Sequence, residues 1–92
     1  MTWSYPPELR EALAGFGLAP TSATPPTFVR DALSDLYRYE LRRLRARLLA
    51  GEFAKPHYID FVIGLRKKYW PLTMMPEAWE KICTNDLGSN FR

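Results

Sequence analysis

The stretch PPTFVRDALSDLYRYELRRLRARLLAG, residues 25–51, decides the fold. Val29, Ala32, Leu33, Leu36, Tyr37, Leu41, Leu44 and Leu48 recur at helical spacing and form one apolar stripe. The stripe drifts slowly around the helix, as it does where a second helix supercoils against the first. Asp31 and Asp35 lie early and Arg42, Arg43, Arg45 and Arg47 late, an order that complements the helix dipole. Pro25 and Pro26 are tolerated only in a first turn, Thr24 or Thr27 is the expected cap, and Gly51 ends the helix.

After a tight turn, Pro56 restarts a helix that the spacing carries to about Tyr69. Its expected buried face is Tyr58, Phe61, Val62 and Leu65, with Ile59 and Ile63 on the shoulders. So short a connection predicts an antiparallel helical hairpin. Upstream, Leu9, Leu13 and Phe16 mark a short helix opened by Pro6 and Pro7, with Ser4 as candidate cap and Gly15 and Gly17 as stops. The stretch GLAPTSATPP, residues 17–26, reads as an ordered crossover. Downstream, WPLTMM (70–75) is apolar without a period, and Pro76 opens a last short helix with Trp79 and Ile82 on one face. Residues 84–92 read as a flexible tail.

The expectation is a single all-α domain over residues 1–92: a small helical bundle with a long central helix in an antiparallel hairpin plus two short helices. The turn of the hairpin, with Gly51, Phe53, Tyr58 and Leu65, resembles the short helical modules known as SHOCT, with Pro56 standing where that family usually has an acidic helix start. The resemblance implies an oligomerisation or tethering element.

Composition narrows the function. Hydrophobic residues are 47% and charged residues 25%, ordinary globular values that argue against disorder. The net charge of +3 permits an anionic partner without demanding one. Cys83 is the only cysteine, which rules out an intrachain disulfide or a cysteine-built zinc site and suits a reducing cytoplasm, the expected location. Neither a signal peptide nor an apolar run long enough to span a bilayer is legible, so no membrane partner is expected.

Chemistry-bearing residues are few. His57 is the only histidine, and Asp60 at i+3 is its one candidate orienting partner, an arrangement common on helix surfaces. Ser4, Ser22, Ser34 and Ser89 lack a strained glycine turn, and no phosphate-binding glycine loop is present. Glu40, at the edge of the long stripe, has Arg43 within reach at i+3. No catalytic residue, cofactor or metal ligand is assigned, and the chain is expected not to be an enzyme.

Two surfaces remain. Three tryptophans cannot all be deeply buried in so small a chain, and exposed Trp and Met mark protein contacts. The candidate interface is therefore Leu41, Leu44 and Leu48 along the stripe, then Trp70, Met74, Met75 and Trp79. Six arginines fall between positions 30 and 47. Among them Arg38, Arg42, Arg43, Arg45 and Arg47 are the candidate anion-binding set, for which nucleic acid is the alternative partner. The leading expectation is a non-catalytic module that self-associates or binds another protein.

Overall fold

The computed structural model describes residues 2–84. Four α-helices appear in chain order: α1 (Pro7–Ala14), α2 (Pro26–Leu49), α3 (Lys55–Lys68) and α4 (Pro76–Cys83), with a single 3₁₀ turn, Trp70–Thr73, between the last two. The all-α reading and the long central helix are therefore correct, with boundaries within two residues of those expected.

The helices start and stop by backbone means. Each has a proline in its first turn and none has a side-chain cap. Pro6 and Pro25 occupy the N-cap positions that Ser4 and Thr24 or Thr27 were expected to serve. A proline at the first helical position has no N–H to satisfy, which reduces the need for a cap. The Thr24 hydroxyl instead accepts the Thr21 N–H within the crossover, at 3.0 Å. Gly17 and Gly51, at φ +79° and +77°, close α1 and α2. In each case the following N–H reaches back five residues, Leu18 to the Leu13 carbonyl and Glu52 to that of Arg47, both at 3.0 Å. That is the Schellman arrangement, and it needs the left-handed backbone that glycine supplies without strain.

Burial is concentrated at one end. Tyr5, Leu9, Leu13, Val29, Leu33, Leu65, Tyr69, Trp79 and Cys83 form the core. These residues come from α1 and Tyr5 just before it, the first turns of α2, the last turn of α3 with Tyr69 just after it, and α4, which together make a head. A short antiparallel bridge, Trp3 with Thr84, closes it, with the Ser4 N–H on the Cys83 carbonyl at 2.8 Å. Thr84 thus belongs to the head, whereas the rest of the expected tail, 85–92, lies outside the described residues.

From residue 34 to residue 64 no residue is buried. The distal part of α2 and most of α3 project from the head as a two-helix arm, and the molecule measures 56 × 22 × 19 Å. A pair of helices has no third neighbour to exclude water from its seam. Leu41, Leu44 and Leu48 are only half-buried; Leu41 and Leu44 pack against the edge of the core, and Leu44 shares a cleft with Phe61 and Leu65. The expected buried face of α3 is corrected on the same ground. Leu65 is buried where the head begins, Tyr58 and Val62 are half-buried, and Phe61 is exposed.

The aperiodic WPLTMM segment becomes ordered by polar contacts to its backbone. The Arg30 guanidinium donates from Nε to the Met74 carbonyl at 3.0 Å and from Nη2 to the Leu72 carbonyl at 3.2 Å. The Trp79 indole N–H donates to the Pro71 carbonyl at 2.8 Å. The charge-assisted Arg30 bonds span 44 and 42 residues of sequence and the buried indole bond spans 8, so no local period reports them.

Candidate interaction surface

Trp79 is 0% exposed and sits at the centre of the head. It is a core residue, and its place in the expected interface is corrected: a fully enclosed side chain has no surface to offer a partner. Trp70 and Met74 are half-buried and pack on the core, leaving Met75 as the one exposed member of that set. The Trp/Met end is mainly a lid on the head, held by the Arg30 and Trp79 bonds described above. In α4 Trp79 and Cys83 are buried, while Ile82, expected on one face with Trp79, is exposed.

Four exposed apolar residues lie on α3 and the arm tip, with Phe28, Tyr39, Met75 and Ile82 exposed elsewhere. Leu49, Ile59, Phe61 and Ile63 are all exposed, Ile59 at 51% and Ile63 at 47%. At about 100° per residue, the apolar side chains of α3 from Phe61 round to Ile63 occupy an arc of roughly 200°. One neighbouring helix covers about half of such an arc. Two grooves result. On one side of the arm, Glu40, Arg43, Leu44, Arg47, Phe61 and Leu65 line a cleft of about 230 Å³. On the other, Tyr58, Ile59, Val62, Ile63 and Arg66 line an open groove of about 360 Å³. The second groove was missed from the sequence, although the width of the apolar arc on α3 was the signal that marked it.

The arginines do not converge. Arg43 and Arg47 border the first cleft, while Arg38, Arg42 and Arg45 lie at i, i+4 and i+7 on a different face of α2. Arg38 pairs with Asp35 at 3.1 Å and Arg47 with Glu52 at 2.9 Å, both on exposed surface where such pairs contribute little. Arg43 lies over the Tyr39 ring, 5.9 Å from its centroid. Among the described residues Arg42, Arg45 and Arg66 form no ion pair.

Glu40 is not held by Arg43. Its carboxylate accepts the Tyr69 hydroxyl, and the Lys68 ammonium lies 3.7 Å away. Tyr69 is also clasped by rings, with Phe16 at 4.3 Å and Tyr37 at 5.2 Å between centroids. This cluster roots the arm in the head. Burial, then the hydrogen bond and charge of Glu40, push the Tyr69 hydroxyl above the ordinary tyrosine range.

His57 is exposed at the start of α3, and no hydrogen bond or ion pair joins it to Asp60. No cluster of three metal-ligating side chains occurs among the described residues. Burial raises the Cys83 thiol to about 11, which leaves it protonated and unreactive at neutral pH. Burial, with the neighbouring Cys83 charge second, raises Tyr5 to about 12, and its hydroxyl donates to the Thr24 carbonyl at 2.7 Å.

These shifts set an alkaline limit. An acid whose folded-state pKa lies above its unfolded value stabilises the fold below the unfolded pKa and loses that stabilisation as pH rises toward the folded one. Denaturant midpoints are therefore expected to fall from pH 9, where an unfolded thiol ionises, to about 12, where folded Tyr5 does. Tyrosinate absorbance followed against helical circular dichroism checks this. Ionisation of all five tyrosines at the ordinary pKa in a still-folded chain would contradict it.

No family model matches the chain, and no curated protein or solved structure matches it either. None of the helices among the described residues is long and apolar enough to cross a membrane.

Proposed function

We propose that this chain is a non-catalytic interaction module that self-associates, with the helical arm as its contact element. One observation supports the reading above the rest: Ile59 and Ile63 stand exposed on an arm without a single buried residue from 34 to 64. An arm that buries nothing within its own length gains stability when a further helix covers it. Leu41, Leu44 and Leu48 are already half-buried within the chain, so the outer edge of α3 is the contact in this reading.

Light scattering after gel filtration tests this at two protein concentrations and two salt concentrations. The expected result is a mass above the 10.7 kDa of one chain, rising with concentration and persisting at high salt. A mass of one chain under every condition would end the self-association reading.

The charge of the arm favours a second reading. Residues 37–68, the arm together with the last turn of α3 at its root, carry nine basic and three acidic side chains, a net +6. A nucleic-acid partner would use that field, and its binding would weaken steeply with salt. The division of the arginines between two faces of α2 stands against it, because a duplex meets one face at a time.

A further inference from the structure

The charge of the molecule is divided as sharply as its burial. Against the net +6 of residues 37–68, the described remainder of the chain carries Arg10, Arg30 and Lys81 with Glu8, Glu11, Asp31, Asp35, Glu77 and Glu80, a net −3. All six of those carboxylates are exposed. Two arms laid side by side would oppose six net positive charges with six more. A head laid on an arm would oppose unlike charges.

The head also carries an apolar anchor of the right kind. Phe28 is 67% exposed, on the outer face of α2, where nothing among the described residues covers it. Asp31 and Asp35 follow at i+3 and i+7 on the same face, both exposed, with Asp35 also paired to Arg38 at 3.1 Å. This is a short acidic amphipathic surface led by an aromatic. The groove on α3 is its counterpart: apolar walls from Tyr58, Ile59, Val62 and Ile63, with an unpaired Arg66 at the end nearer the head. Its volume of about 360 Å³ falls within the range of small binding pockets, about 300–1,000 Å³. At 1.5 Å per residue, Asp31 and Asp35 lie roughly 4.5 and 10.5 Å along the helix from Phe28. Arg66 lies roughly 7.5 Å beyond the midpoint of Ile59 and Ile63. With Phe28 seated in the groove and the helices parallel, Arg66 falls between the two carboxylates.

We propose that the occupant of the α3 groove is a second copy of this chain, docked head to arm, with Phe28 between Ile59 and Ile63 and with Asp31 and Asp35 flanking Arg66. This commitment rests on the self-association reading and specifies its geometry. Because the two faces differ, the contact is heterologous: every copy keeps one free head face and one free arm face, so assembly continues beyond two copies unless it closes into a ring.

Mixing two variants tests the proposal. A head variant, Phe28→Ser with Asp31→Asn, loses one face, and an arm variant, Ile59→Ser with Ile63→Ser, loses the other. All four positions are exposed, and circular dichroism verifies that both variants fold. Wild-type mass is expected to exceed two chains at high concentration, while each variant alone stays monomeric over at least roughly a tenfold higher range. An equimolar mixture of the two is expected to form a dimer and stop there, since one intact head meets one intact arm. A head variant that still associates, with no rescue on mixing, overturns head-to-arm docking and leaves self-association standing through a symmetric contact. Monomeric wild-type protein at every concentration overturns both.

Discussion

Replacing Trp79 with alanine is expected to cost about 3–5 kcal/mol, the range for deleting a large buried aromatic. The residue is wholly enclosed, and its indole N–H donates to the Pro71 carbonyl at 2.8 Å. The substitution opens a cavity at the centre of the head and leaves that carbonyl with only the longer bond from the Met74 N–H, at 3.3 Å. A domain of this length has a total stability of about 5–15 kcal/mol, so the variant should be marginal or unfolded at room temperature. Urea titration followed by helical circular dichroism measures it. A midpoint close to wild type would mean that Trp79 is a surface residue after all and would restore the Trp/Met end as a contact surface. Trp79→Phe, which keeps the ring and drops the N–H, should lose much less and separates packing from hydrogen bonding.

The second large effect is a contrast along one helix. Leu33 and Leu48 belong to the same stripe of α2, fifteen residues apart, and their spacing gives no reason to treat them differently. Leu33 is fully buried in the head, and Leu48 is half-buried in the arm. Leu33→Ala is expected to cost about 2–5 kcal/mol and Leu48→Ala below about 1 kcal/mol, measured in dilute monomer. Equal losses at the two sites would mean that the arm has a core of its own, and the division of the molecule into head and arm would fail. A loss at Leu48 that grows with protein concentration would indicate that a partner copy covers it.

The helices were legible because their punctuation is local. Pro26, Pro56 and Pro76 fix first turns through their own φ angle, and Gly17 and Gly51 end helices through theirs, so each boundary is written within a few residues. Coverage was not legible, because it depends on which distant element arrives. The period of α3 marks Tyr58, Val62 and Leu65 alike as apolar, yet only Leu65 lies where α1, α2 and α4 converge. The same holds for Trp79 against Met75. Both are large and apolar, and the difference is that the Pro71 carbonyl waits for an indole at one position and solvent waits at the other. Arg30, which reads as one more member of an arginine-rich helix, turns out to be the clamp on Leu72 and Met74, since its partners lie more than forty residues away. The groove of α3 escaped for the converse reason: an apolar arc reads as core until its width is compared with what a single neighbour can cover.

The projecting arm also changes how the molecule moves through solvent. A compact chain of this length has a radius of gyration of about 12 Å, whereas this one has 16.3 Å. Its friction is that of a rod with a weighted end. A lone copy will diffuse more slowly and leave a sizing column earlier than a sphere of equal mass, at the place where a compact dimer would emerge. Sedimentation will err the opposite way, because the same drag makes a heavier particle fall like a lighter one. Only the two taken together, with friction cancelled between them, count the chains.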